Sequence, residues 1–171
     1  MKHLILVCLA LFLIAPANAA SCDLTQAEAL LRQPRPEKPD RQFDVLEQQS
    51  VEGGAWTIYN GPNGKPGRII RTDYGEMGRS EQILAATDRD GFIIRETQFH
   101  YSVPLFATGS AVVREETVYY RFCEGELLLP SDTEGEDGYM KAGREAANEF
   151  FAAQEIADAI KATGLKPPLS K

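Results

Sequence analysis

Between residues 43 and 129 the chain alternates at short intervals between strand-forming runs and turn-forming clusters, and that alternation limits what it can fold into. Trp56-Thr57-Ile58-Tyr59 gives way to Asn60-Gly61-Pro62-Asn63-Gly64, and the run from Arg68 to Tyr74 gives way to Gly75-Glu76-Met77-Gly78. Ser80 to Ala86 leads into Asp88-Arg89-Asp90-Gly91, then Phe92 to Tyr101 and Val112 to Cys123 form two long runs. Glu124-Gly125 turns the last of these into Glu126 to Leu129. Val, Ile, Thr, Tyr and Phe suit a pleated backbone, whereas Asn, Asp and Gly tolerate the positive φ of tight hairpin turns. The spacing predicts consecutive hairpins, hence an antiparallel β-meander of about six strands over residues 45–130.

Side-chain alternation refines this. Val118, Tyr120 and Phe122 share one face of their strand, and Thr117, Tyr119, Arg121 and Cys123 the other. Ile94, Glu96, Gln98 and His100 likewise oppose Arg95, Thr97, Phe99 and Tyr101. One covered face and one polar but aromatic face predict a curved sheet or half-barrel backed by a helix.

Helical patterns flank the sheet. Leu24, Ala27, Leu30 and Leu31 mark a short helix over Asp23 to Leu31, capped by Asp23 or Thr25. Gln33-Pro34-Arg35-Pro36-Glu37-Lys38-Pro39-Asp40 follows as an extended, exposed spacer, because three prolines at this density exclude regular structure. Ala146, Phe150, Ala153, Ala157 and Ile160 form a stripe that predicts one long C-terminal helix over Gly138 to Gly164, with Asp137 as its cap and Pro167-Pro168 beyond its end. The expected fold class is α+β. Residues 20–44 hold the N-terminal helix and spacer, 45–130 the sheet, and 131–171 an acidic loop, the helix and a tail, with 45–171 as one domain.

Residues 1–19 read as a secretory signal peptide. Lys2 supplies the positive end, Leu4 to Ile14 the apolar run, Pro16 the break and Ala17-Asn18-Ala19 the small-residue cleavage pattern. The remaining 152 residues are enough for one ordinary domain. Loss of Lys2 takes the formal charge from −7 to −8, which disfavours nucleic acid and anionic lipid as partners. No later stretch is apolar enough to span a bilayer. The expected location is the periplasm or the outside of the cell. Cys8 leaves with the leader, and Cys22 and Cys123 are expected to pair in an oxidising compartment. An alternative is that Ala19-Ala20-Ser21-Cys22 acts as a lipobox and Cys22 carries a lipid anchor. Ala19 departs from that pattern, and the apolar run stops short of Cys22, so ordinary cleavage is preferred.

Several chemistries lack their residues. His100 is the one histidine left after the leader, which excludes a two-histidine metal site, and none of the serines lies in a Gly-x-Ser-x-Gly turn. No phosphate-cradling or dinucleotide-binding glycine pattern is present, so no cofactor is expected. Asp132-Thr133-Glu134-Gly135-Glu136-Asp137-Gly138 fails the calcium-loop pattern, because Asp137 stands at the sixth position and Gly143 at the twelfth. The candidates that remain are for binding. Pairing of the strands 92–101 and 112–123 predicts a cross-strand charge ladder from Arg95, Glu96, Arg114, Glu115 and Glu116, flanked by Tyr101 and Tyr119. The loop from Ser102 to Ala111 is too long for a tight turn and carries Leu105 and Phe106, which suit either a contact surface or a fold-back over the core.

Trp56 and Tyr59, Lys65-x-Gly67-Arg68-Ile69, Tyr74-Gly75-Glu76-x-Gly78-Arg79, Tyr101-x-x-Pro104, and Tyr119, Phe122, Gly125 and Leu127 together cover about half the chain. In these turns and aromatics it resembles a loose group of small exported bacterial proteins and lipoproteins. The resemblance implies an exported β-meander and assigns no residue a role. A weaker likeness, to disulfide-stapled periplasmic lysozyme inhibitors, stops at the fold because their inhibitory loops have no counterpart here. The functional expectation is a non-enzymatic binding module of the cell envelope, of inhibitor or immunity type, engaging another protein. The alternative is a carrier that encloses a small apolar or amphiphilic ligand in a curved sheet.

Overall fold

The computed structural model describes residues 22–46, 52–87, 90–130 and 136–169. The expected leader and cleavage site, and most of the acidic loop, lie outside the described residues. Seven strands form one antiparallel sheet in chain order: β1 (Arg41–Asp44), β2 (Gly54–Asn60), β3 (Pro66–Gly75), β4 (Gly78–Ala86), β5 (Gly91–Tyr101), β6 (Val112–Cys123) and β7 (Glu126–Leu128). The meander is thus as expected, and the sheet is open. The additional strand is β1, which lies inside the stretch expected as helix and spacer. Its four residues are all exposed, so it has no burial pattern to read, and it exists by pairing Phe43 with Trp56 and Asp44 with Ala55 on β2.

The turns form as their sequences require. Glu124 and Gly125 both take positive φ, the conformation of a two-residue hairpin that matches strand twist. A side chain at Gly125 would also meet the Pro167 carbonyl at 2.6 Å, because the C-terminal tail crosses there and Leu169 N–H bonds the Gly125 carbonyl.

Helix α1 (Thr25–Arg32) packs on one face of the sheet, with Ala27 and Leu30 buried against Ala85 and Ile93. Asp23 accepts a hydrogen bond from Thr25 N–H just before it. The proline segment that follows is exposed but is not a free spacer. The buried Arg68 guanidinium donates to the carbonyls of Leu30, Gln33 and Pro34, and Arg35 pairs with Glu81 at 2.6 Å. Cys22 and Cys123 form a disulfide with Cα atoms 5.6 Å apart, joining the α1 end to the end of β6. A lipid on the Cys22 sulfur is incompatible with that bond. Disulfides persist in oxidising compartments. No helix among the described residues is long and apolar enough to cross a membrane.

The opposite face carries the larger core. Trp56, Ile58, Ile69, Leu84, Phe92, Ile94, Tyr120 and Phe122 meet Ala146, Ala147 and Phe150 of α2 (Glu136–Ala152). Phe92 stacks on Phe122 with ring centroids 4.5 Å apart, and Phe150 meets Trp56 edge-on at 5.3 Å. Gly143 permits this approach, since a Cβ there would lie 2.7 Å from Leu127 and 2.8 Å from Tyr120.

The single long C-terminal helix is corrected to three pieces. α2 stops at Ala152, Ala153 is extended, a 3-10 turn covers Gln154–Ile156, and α3 runs Ala157–Thr163. The cause is phase. At about 100° per residue, Ile156, Ala159 and Ile160 lie roughly 140° around from the Gly143, Ala146, Ala147 and Phe150 face. One straight helix cannot bury both sets, and the break lets both reach the core. Ala153 still packs against the core from the extended link, whereas Ala157 leaves the expected stripe and is exposed.

Tyr120 gives this core a pH signature. Burial, then the nearby Glu96 charge and Tyr139, push its hydroxyl pKa from the usual 10.0 up to about 12. The folded state therefore prefers the neutral phenol. That contribution is present below pH 10 and is lost as pH rises through about 12. Absorbance titration is expected to show a late-ionising tyrosine that Tyr120→Phe removes, and the variant is expected to resist alkaline unfolding better over pH 10–12. Equal alkaline unfolding of the two proteins refutes this.

Candidate interaction surface

Neither α1 nor α2 covers the end of the sheet where β3 turns into β4 and β5 into β6. The two turns are tied together there. Tyr101 N–H bonds the Met77 carbonyl at 2.9 Å, and Leu105 N–H bonds the Glu76 carbonyl at 2.8 Å. Gly78 makes the approach possible, because a Cβ at that position would stand 2.4 Å from the Phe99 carbonyl oxygen. The 102–111 loop is also closed on itself. Ser102 N–H bonds the Ala111 carbonyl, Ala107 N–H the Pro104 carbonyl, and Ser110 the carbonyls of Ala107 and Val103. Gly109 supplies the left-handed residue this path needs, at φ 85°.

This bonded frame holds apolar side chains outward. Phe106 is 82% exposed, Val113 65% and Met77 51%, with Tyr74 and Val112 beside them in the same end of the sheet. Leu105 is half-buried and Tyr101 only 8% exposed, so these two brace the surface from within. Arg79 adds a charge at its border. Its guanidinium lies 4.3 Å over the Phe99 ring, and its Nε is buried without an acceptor. Tyr74 and Arg79 entered the sequence reading only in a motif that assigned no role, and Met77 only as a turn residue. Only a methionine in a four-residue turn between two glycines hinted at them.

The expected charge ladder does not form, although β5 and β6 pair as expected. Arg95 faces Tyr119, Glu96 faces Val118, Phe99 faces Glu115 and Gln98 faces Glu116. The register follows from the loop closure at Ser102 and Ala111 and from a bulge at His100 and Tyr101, where β6 carries one extra residue. The ion pairs run elsewhere. Arg95 and Arg35 share the buried Glu81, on the α1 face, while Arg114 pairs with Glu116 along β6 at 3.2 Å. Glu96 accepts from Gln98 at 3.2 Å, and His100 Nε2 lies 3.1 Å from the Arg114 guanidinium. Tyr119 is exposed, and its carbonyl accepts the Tyr139 hydroxyl at 2.7 Å.

A second cluster lies between β1, β3 and the end of α2. Val45, Leu46, Trp56, Arg71, Glu149 and Glu155 line a cleft of about 250 Å³. Burial opposes ionisation of the Glu155 carboxyl there, but hydrogen bonds from Leu46 N–H and its own backbone, with the Trp56 indole and Arg71 nearby, hold it below the usual carboxylate range. The Trp56 Nε1–H is close enough to favour that charge yet makes no well-formed hydrogen bond. No group of three or more His, Cys, Asp or Glu among the described residues is arranged to hold a metal ion.

The fold thus defines an α+β protein built on a seven-stranded antiparallel meander with a helix on each face. No protein family, curated protein or solved structure matches the chain.

Proposed function

We propose that this is a non-enzymatic binding module of the bacterial cell envelope, exported by its N-terminal leader, which engages another protein through the apolar end of its sheet. One observation carries the reading: Phe106 is held almost fully in solvent on a loop whose backbone is bonded to Glu76 and closed at Ala111. A large aromatic presented on a fixed frame is what a protein contact uses, since little ordering cost remains at binding. A carrier would need room between α2 and the sheet. Trp56, Phe92, Phe122, Phe150 and Phe151 occupy that space, so the binding-module reading is preferred.

The test is capture of partners from an envelope extract. Phe106→Asp is expected to lose the partner that the unchanged protein retains. Leu169→Asp, at an exposed apolar residue by the other end of the sheet, is expected to retain it. Equal recovery by all three proteins removes the tip as the contact.

A further inference from the structure

We propose that the open edge of β6 pairs with β6 of a second copy of this chain, antiparallel and in one register centred on Glu115. β7 covers β6 only from Arg121 to Cys123. The two-residue turn at Glu124 and Gly125 makes Cys123 and Glu126 a hydrogen-bonded pair, so Cys123 and Arg121 direct their N–H and C=O groups toward β7. Tyr119 points the same way, as its carbonyl bond to Tyr139 shows. By the same alternation Thr117 and Glu115 aim theirs at the same edge, and no described residue bonds them there. Residues 112–119 of β6 are all exposed. An unpaired edge of this kind is a template for another strand.

Three constraints choose the occupant and its register. Outward-directed residues must meet outward-directed residues, which restricts the two-fold axis to a position opposite a single residue. The free edge is bounded by Tyr119, whose carbonyl is taken, and by the bulge opposite Tyr101, which centres it on Glu115. Charge then agrees. With Glu115 on the axis, Arg114 stands opposite Glu116 of the second copy, and Glu116 opposite its Arg114. These two side chains already pair along the strand at 3.2 Å and are mostly exposed, so association builds a square of alternating charges. Moving the axis to Arg114 sets arginine against arginine. Moving it to Glu116 sets glutamate against glutamate and brings in the occupied Tyr119. The edge is therefore self-complementary in the sense a two-fold interface requires. Pairing sets Val112 and Val113 against Val118 and Thr117 of the second copy and leaves Phe106, Met77 and Tyr74 outside the shared edge, so it does not depend on the partner proposed for that end.

One flaw is built in and is diagnostic. Glu115 faces its own copy across the axis, and like charges directly opposite weaken strand pairing. Sedimentation velocity of the disulfide-bonded protein over a concentration series is expected to show a reversible dimer that E115Q tightens roughly two- to fivefold, and that R114E or E116R, each of which changes two facing pairs, weakens by at least as much. An equimolar mixture of R114E and E116R is expected to associate again, because positions 114 and 116 of one variant then face opposite charges on the other. That mixture also controls for folding of the single variants. Wild type and E115Q that both stay monomeric into the millimolar range overturn the proposal. So does a mixture that associates no better than either variant alone.

Discussion

Serine at both Cys22 and Cys123 is expected to lower stability by about 4–5 kcal/mol in a chain-entropy account of a loop this long. The two cysteines are 101 residues apart, so the bond closes most of the described chain into one ring. For a domain of this size the loss corresponds to a fall in Tm of roughly 10–20 °C. The structure also says where the loss is felt first. α1 buries only Ala27 and Leu30, with Leu24 and Leu31 partly covered, and it touches the sheet through Ala85 and Ile93 and, by Leu31, the Tyr59, Ile70 and Ile83 cluster. That is too little apolar area to hold the helix by itself, so its release is expected to precede unfolding of the sheet. Arg68 would then lose the carbonyls of Leu30, Gln33 and Pro34 and exchange them for water. Thermal unfolding of the double-serine variant, with amide exchange over residues 24–34, checks both halves. A change in Tm of only a few degrees would mean that α1 and Arg68 dock without the staple.

The parts of this fold that were legible in the sequence are those decided locally. Asn60 to Gly64, Gly75 to Gly78 and Glu124-Gly125 each carry the residues their turns require, and the strands between them follow. The cysteine pairing was legible because only two cysteines lie outside the stretch that reads as a leader. What escaped was decided by contacts distant in the chain. β1 is a strand because β2 is beside it, and nothing in Arg41-Gln42-Phe43-Asp44 repeats with a period of two in burial. The break at Ala153 arises because two helical faces must meet one sheet, although each face alone reads as helix. The charge ladder failed because the loop closure at Ser102 and Ala111 sets a register in which Arg95 and Glu96 face the uncharged Tyr119 and Val118, while Arg114, Glu115 and Glu116 face His100, Phe99 and Gln98. At the candidate surface, Phe106 was visible as an apolar residue on a long loop. Met77 and Arg79 were not, since a turn some 29 residues away reaches that loop only through the hydrogen bond from Leu105 to Glu76.

Arg71 belongs to the same non-local class, and its replacement is the second large effect expected. Its side chain is 7% exposed. Nε and one terminal nitrogen grip the two Asp73 oxygens at 2.7 and 3.1 Å, and the other terminal nitrogen reaches Glu149 on α2 at 3.5 Å. The guanidinium also lies 5.5 Å from the Trp56 ring centroid, covering the largest aromatic of the core. Arg71→Ala leaves the Asp73 carboxylate, itself nearly buried, without its two-pronged donor. Breaking a buried ion pair from one side costs about 3–5 kcal/mol, because an uncompensated charge stays inside. Arg71→Lys keeps the charge but not the planar fork, and is expected to fall between the two. The decisive variant is Arg71→Met with Asp73→Leu, which removes both charges and refills the volume. If the cost of the single change is the stranded carboxylate, the double variant regains most of the lost stability. Denaturant unfolding of the four proteins reads this directly. A double variant as unstable as Arg71→Ala would assign the loss to the uncovering of Trp56 and to the link with Glu149, and would make the guanidinium a packing element of the α2–sheet interface before it is a charge.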